Sequence, residues 1–246
     1  MSLLVGSVFM DHPRSKTWYE LQIKYLHRTT NNFEHVVYLN GYNDFYNDSS
    51  VLKVDTTIAK SGQDAHIRGL NFLLNFFNSN LKFENLLLLD SDCFPIQPYW
   101  LEKLLKDMKY MSIAAPIRYE NLDTFAHPCA FFVRRKIALD LKFDNIELKN
   151  LIGRKYTDTG SNIESFYPLI RSNKINHHSI LCGIYKDYFY HHGAGSRSLS
   201  FRLFDNYLKE RLNIDLIEEN LFQQLVQNSD EFINNMLFTP FKRKIL

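Results

Sequence analysis

The stretch that most constrains this chain is NLLLLDSDCFP, residues 85–95. Four consecutive leucines do not alternate with polar residues, so they predict a short central strand covered on both faces, as in a parallel sheet between helical layers. Asp90 and Asp92 then stand at the strand's carboxyl end, where open α/β sheets bind ligands. Two carboxylates at i and i+2 can converge on one hard cation, Mn²⁺ or Mg²⁺, which keeps sites open for substrate phosphate oxygens. The same short motif also reads as a polar turn with both aspartates solvated, and alone it does not decide between the two.

The surrounding sequence supports the layers. LLVGSVFM, near the start, predicts a first strand; no basic residue precedes it and no small-residue cleavage site follows, which argues against a signal peptide. Trp18, Leu21, Tyr25 and Leu26 fall at helical spacing, with Ser15 as the expected N-cap. EHVVYLN and VLKVD predict two further strands. Ile67, Leu70, Leu74 and Phe77 make one apolar helical stripe leading into the leucine run. Pro98 is expected in the first turn of the helix carrying Leu101, Leu104, Leu105 and Met108, since proline lacks a donor that this position does not need. MSIAAP, CAFFVRR and ILCGIYKDYFYHH read as strands, the polar stretch 142–174 as an irregular binding or lid segment, and the chain from about residue 201 as helical. The expectation is an α/β fold with a mostly parallel central sheet flanked by helices. Residues 1–200 would form the binding and catalytic domain and residues 201–246 a helical C-terminal extension of it.

Composition narrows the function classes. With 246 residues and 45% hydrophobic side chains the chain can bury one substantial core. The 29 basic and 27 acidic residues nearly cancel, leaving a net charge of +2, so nothing marks a nucleic-acid partner. Cys93, Cys129 and Cys182 are an odd number without metal-ligand spacing, which predicts reduced thiols and a cytoplasmic setting. No apolar run reaches the roughly 18 residues of a membrane span. The ending FTPFKRKIL reads as a solvated tail, with peripheral membrane contact as the alternative.

Three other segments carry chemistry-bearing residues. In YHHGAGSRS, residues 190–198, His191 and His192 are candidate ligands for a divalent metal, while Gly193, Ser196 and Arg197 offer close backbone approach and donors to a phosphate. In KSGQDAHIRGL, residues 60–70, Gly62, His66, Arg68 and Gly69 could line a nucleotide pocket at a helix N-terminus. In YTDTGSNIES, residues 156–165, Asp158 and Glu164 are candidate general bases for an acceptor hydroxyl. Each also has an ordinary reading as a packed or solvated side chain.

Taken in order, the N-terminal strand, the glycine-bearing segment before a helix, LLLLDSD, CAFFVRR, the acidic loop and a late strand ending YHHGAGS resemble the GT-A class of nucleotide-sugar glycosyltransferases, family-2-like in pattern. The resemblance implies a GT-A type fold and places Mn²⁺ or Mg²⁺ on Asp92 with help from Asp90. It makes His191 the late metal ligand with His192 in reserve, sets Gly62 and His66 in the nucleotide-sugar loop, and puts Asp158 on the acceptor side; Ser91, between the two aspartates, is a further candidate for binding the donor. It further implies a nucleotide-sugar donor, a UDP-sugar above others, and a glycan, lipid-linked or small-molecule acceptor. The family's paired Glu-Asp is absent around Asp158, and the spacing from Gly62 to Gly69 is one residue shorter than the common pattern.

The rival readings are a phosphohydrolase of the haloacid dehalogenase type, a nucleotidyltransferase, and an inactive glycan-binding domain of the same fold. In the first, the Asp-x-Asp continues into Thr or Val near the chain start, whereas here it continues CFP at residue 93. The second carries an N-terminal Gly-rich, basic nucleotide loop that SVFMDHPRSK does not match. The third keeps a sugar-stacking surface, for which the 15% aromatic content suffices.

Overall fold

The computed structural model describes residues 2–10, 12–41, 51–55, 62–118, 125–144, 146, 148–149, 155–156, 158–172, 182–193 and 214–238. The elements run β1 (Leu3–Met10), α1 (Ser15–Thr29), β2 (Phe33–Asn40), β3 (Val51–Asp55), α2 (Gly62–Ser79), β4 (Asn85–Asp90), β5 (Cys93–Pro95), α3 (Trp100–Met108), β6 (Ile113–Ile117), β7 (Ala130–Arg134) and α4 (Arg135–Ala138). There follow β8 (Leu148–Lys149), β9 (Lys155–Tyr156), β10 (Tyr167–Ile170), β11 (Gly183–Tyr185), β12 (Phe189–His191), α5 (Ile214–Gln227) and α6 (Ser229–Phe238). Seven strands form the main sheet in the order β10-β6-β7-β4-β1-β2-β3.

The leucine run is the middle strand of that sheet. β4 pairs parallel with β1 on one side and antiparallel with β7 on the other. Its side chains divide by period two: Leu86 and Leu88 enter the cluster under α2, while Leu87 and Leu89 enter the opposite cluster with Trp100, Leu101 and Leu104 of α3. β1 divides likewise, Leu4 and Val8 toward α2, Leu3 and Val5 toward α3. Both faces are therefore covered, which is why no polar residue interrupts the run.

α2 lies very close to the sheet. A Cβ on Gly69 would stand 2.8 Å from Val8 and 2.9 Å from Tyr38, so the glycine is there to let the helix approach β1 and β2. It serves packing, and the sequence-based expectation that Gly69 lines a pocket is corrected accordingly. Leu70, Leu73, Leu74 and Phe77 are buried on the same face, and Ile67 is half-buried.

Four local expectations need correction. Ser15 does not cap α1; it is the first helical residue, and its hydroxyl donates instead to the Met10 carbonyl at 2.6 Å, tying the helix start to the end of β1. Pro98 precedes the helix, which begins at Trp100 after Tyr99 takes φ +61°. The stretch 142–174 is not wholly irregular: Tyr167–Ile170 is an edge strand paired parallel with β6, an edge being where Pro168 is tolerated. ILCGIYKDYFYHH is not one strand but the hairpin β11–β12, turned at Lys186 and Asp187, both at positive φ.

That hairpin positions the site. β12 also pairs antiparallel with β5, making a second, three-stranded sheet in which His191 stands opposite Cys93. α5 and α6 complete this layer, Leu221, Phe222, Leu225, Phe232 and Ile233 packing with Trp18, Phe94 and Tyr190. Arg14 forms an ion pair with Glu219 and lies 4.2 Å over the Phe222 ring, fastening α5 to the start of α1. Among the described residues no helix is long and apolar enough to cross a membrane.

Candidate metal and acceptor site

The chain order β1, β2, β3 runs to one edge of the sheet and returns through α2 to β4 on the other side of β1. The crevice between the carboxyl ends of β1 and β4 is thus a topological switch point, where α/β sheets bind ligands. Asp90 closes β4, and Ser91 and the buried Asp92 form the turn into β5. The pairing of β5 with β12 brings in His191 from about a hundred residues further along.

The result is a compact ligand set. One donor atom each from Asp90, Asp92 and His191 lies within 4.8 Å of the others. His191 Nε2 is 3.5 Å from Asp92 Oδ1 and 3.7 Å from Asp90 Oδ2. On the far side, His66 of α2 reaches Asp90 Oδ1 at 2.9 Å, though the two atoms are off the hydrogen-bond line. Buried Asp90 Oδ1 and His191 Nδ1 have no hydrogen-bond partner among the described residues. Two carboxylates and an imidazole at this spacing suit Mn²⁺ or Mg²⁺, so the residues present fit the metal that the resemblance implies.

The electrostatics follow from crowding. Burial alone would raise the Asp90 carboxyl; His66, then His191 and His127, outweigh it and hold the group well below the usual carboxylate range. Burial alone would lower His191, but the Cys129 sulfur and the Asp92 and Asp90 carboxylates push it up to about 9. The three cysteines are buried and free; burial raises the Cys93 thiol, and it would raise Cys129 too, but the Cys93 hydrogen bond, then His191 and His127, hold that group well below the usual thiol range.

A second cluster lies beside the first. Asp158 Oδ2 accepts from Arg118 Nη2 at 2.9 Å, Oδ1 accepts from the Thr159 N–H at 2.8 Å, and His127 Nε2 is 4.0 Å away. Arg118 follows β6 directly, and His127 precedes β7, whose antiparallel direction puts its start at the same edge as the end of β4. The His127 and His191 rings are 5.9 Å apart, joining the clusters. His127 Nδ1 accepts the Cys129 N–H at 3.3 Å, so its neutral form carries the proton on Nε2, toward Asp158. Burial would raise Asp158, but His127 and Arg118 hold it below the ordinary carboxylate range.

The other sequence candidates divide. Gly62 opens α2, four residues before His66. Arg68 is exposed and, two residues past His66, sits on a different face of the helix. Ser91 is buried inside the Asp90–Asp92 turn. Gly193 takes φ +74°, the left-handed region that favours glycine, directly after the histidines. His192 is not with the ligands: it packs against Trp18 and Phe222, with Nδ1 2.8 Å from the Tyr190 hydroxyl. Glu164 is exposed, and no described contact joins it to either cluster. Ser196, Arg197 and the C-terminal residues 239–246 lie outside the described residues. His127 and Arg118 escaped the sequence analysis; their signal was a His-Pro pair before a buried strand and a basic residue just past another.

No protein-family model and no curated protein matches this chain. Among solved structures, A197 from STIV is similar over 78% of this chain and 94% of its own, at 11% identity and a TM-score of 0.40. A glycosyltransferase involved in the glycosylation of the major capsid of PBCV-1 is similar over 57% of this chain and 63% of its own, at 10% identity and 0.41. The mannosyltransferase PcManGT from Pyrobaculum calidifontis, in complex with GDP-Man and Mn²⁺, is similar over 58% of this chain and 47% of its own, at 13% identity and 0.39. This chain therefore spans less than two thirds of the length of the latter two. The likenesses are distant, and the functional reading rests on the site's own geometry.

Proposed function

We propose that this chain is a metal-dependent glycosyltransferase that moves a sugar from a nucleoside-diphosphate donor, with uridine as the base, to a hydroxyl of a glycan, lipid or small-molecule acceptor. The observation that carries the reading is the convergence of Asp90, Asp92 and His191 at the switch point of the sheet. When bound there, Mn²⁺ or Mg²⁺ would neutralise the charge that grows on the departing diphosphate.

The chain's own residues supply the rest. Asp90 stays ionised at neutral pH and, with Asp92, lines the metal side of the crevice, with His66 steadying Asp90. Asp158 accepts the proton of the acceptor hydroxyl as its oxygen bonds to the sugar and the bond to the diphosphate breaks, with inversion at that carbon. Arg118 and His127 hold that carboxylate ionised and fix its direction.

The test is incubation with uridine, guanosine and thymidine diphosphate sugars, with and without Mn²⁺, following release of free nucleotide. Metal-dependent release from a uridine sugar is expected. No metal-dependent release or thermal shift with any of them would remove the transferase reading, and binding without turnover would favour the inactive glycan-binding domain.

A further inference from the structure

Gln22 is fully buried on α1, on the apolar face between Trp18 and Tyr25, where a polar side chain needs partners. Its amide nitrogen donates to the Asp90 carbonyl at 3.0 Å and to the Cys93 carbonyl at 2.7 Å. Those carbonyls are the first and last of the four-residue turn Asp90–Cys93, which carries both metal-facing carboxylates. The amide cannot flip without breaking both bonds, because its oxygen accepts from the Ser7 hydroxyl at 2.7 Å. A hydroxyl has one proton to give, so the other contact of Ser7, His35 Nε2 at 2.9 Å, must be N–H donating to Ser7. The chain of donors therefore runs one way, from His35 in β2 through Ser7 in β1 and Gln22 in α1 to the turn.

We infer that Gln22 is a positioning residue for the metal site: with Ser7 fixing its orientation, it clamps both ends of the Asp90–Cys93 turn so that Asp90 and Asp92 converge. The turn is also held by the His192 N–H to the Asp92 carbonyl at 3.1 Å and by the Asp90 N–H to the Cys129 carbonyl at 3.0 Å. Those bonds fix two points of the turn but leave the Asp90 and Cys93 carbonyls to Gln22. Partners outside the immediate ligand set commonly govern metal affinity in this way, by about 10- to 100-fold. The inference rests on the metal reading proposed above.

The experiment measures Mn²⁺ binding to the whole protein from the electron paramagnetic resonance signal of free Mn²⁺, without nucleotide. Gln22→Met keeps the side-chain volume and removes both donors; Ser7→Ala removes only the orienting hydroxyl. Gln22→Met is expected to weaken Mn²⁺ binding by about tenfold or more, and Ser7→Ala by less. Leu74→Ala, in the α2 cluster away from the turn, serves as a destabilised control that keeps wild-type affinity. If Gln22→Met does not fold, Ser7→Ala decides. Wild-type affinity in the folded variants, with melting temperature alone reduced, would overturn the clamp and make Gln22 merely structural. If the wild-type protein itself binds no Mn²⁺, the metal reading fails first and the clamp falls with it.

Discussion

Two carboxylate clusters share one edge of the sheet and are neutralised by different means. Around Asp90 and Asp92 the described cationic partners are imidazoles, His66 and His191. Around Asp158 the close partner is the Arg118 guanidinium. An imidazole can give up its proton and then become a metal ligand; a guanidinium stays charged. The first cluster can therefore exchange a proton for a divalent cation, while the second keeps a fixed positive charge beside its carboxylate. The proposed function accordingly puts the metal on one side of the crevice and the acceptor on the other.

The sharpest way to break this contrast is to remove its metal side. Asp92→Asn or His191→Ala should lower transfer by roughly a thousandfold, the equivalent of several kcal/mol of lost charge stabilisation, and abolish Mn²⁺ dependence. His192→Phe, one residue on, should keep the metal-dependent thermal shift. Nucleotide-release assays on the variants distinguish the two histidines.

The second cluster is tested by Asp158→Asn, which should cost on the order of a hundredfold in kcat while leaving Mn²⁺ affinity unchanged. Arg118→Met should act more gently. With the guanidinium gone, the Asp158 carboxyl rises toward its usual range, and the acid limb of the pH–rate profile moves to higher pH. An unmoved limb would show that Asp158 is not the group being titrated.

A smaller effect concerns pH without substrate. The folded-state pKa of His191 is raised to about 9, above its unfolded value of about 6.5. The stability that its protonated form gives the metal-free protein is therefore full below about pH 6.5 and is lost as pH rises through about 9. Mn²⁺ competes with that proton, so the Mn²⁺-induced rise in melting temperature should grow over the same window. Thermal melts at pH 6 to 9.5, with and without Mn²⁺, would show the opposed slopes; parallel slopes would take His191 out of the ligand set.

Much of this arrangement was legible in the sequence where burial leaves a pattern. β1, β2 and β4 carry long apolar runs, Asp90 and His191 end their strands, and Asp92 sits in the turn just after the first. The direction of β7 was not legible, because AFFVR is covered on both faces and a continuous apolar run looks the same parallel or antiparallel. β5 is only three residues and contains Pro95, so its pairing with β12, which delivers His191, has no local signature. The residues alone left His191 and His192 open and only the resemblance preferred His191; the pairing register gives the physical reason, since adjacent strand residues point to opposite faces. Gln22 left a trace: a polar residue inside the apolar stripe of α1. Its meaning depended on which carbonyls stood opposite.

The central claim is that Asp90, Asp92 and His191 hold one divalent metal. Anomalous diffraction at the manganese edge from crystals grown with Mn²⁺ tests it most directly. A peak about 2.1 Å from oxygens of Asp90 or Asp92 and from a His191 nitrogen is expected, lost in Asp92→Asn. A peak elsewhere, or none at saturating Mn²⁺, would contradict the claim.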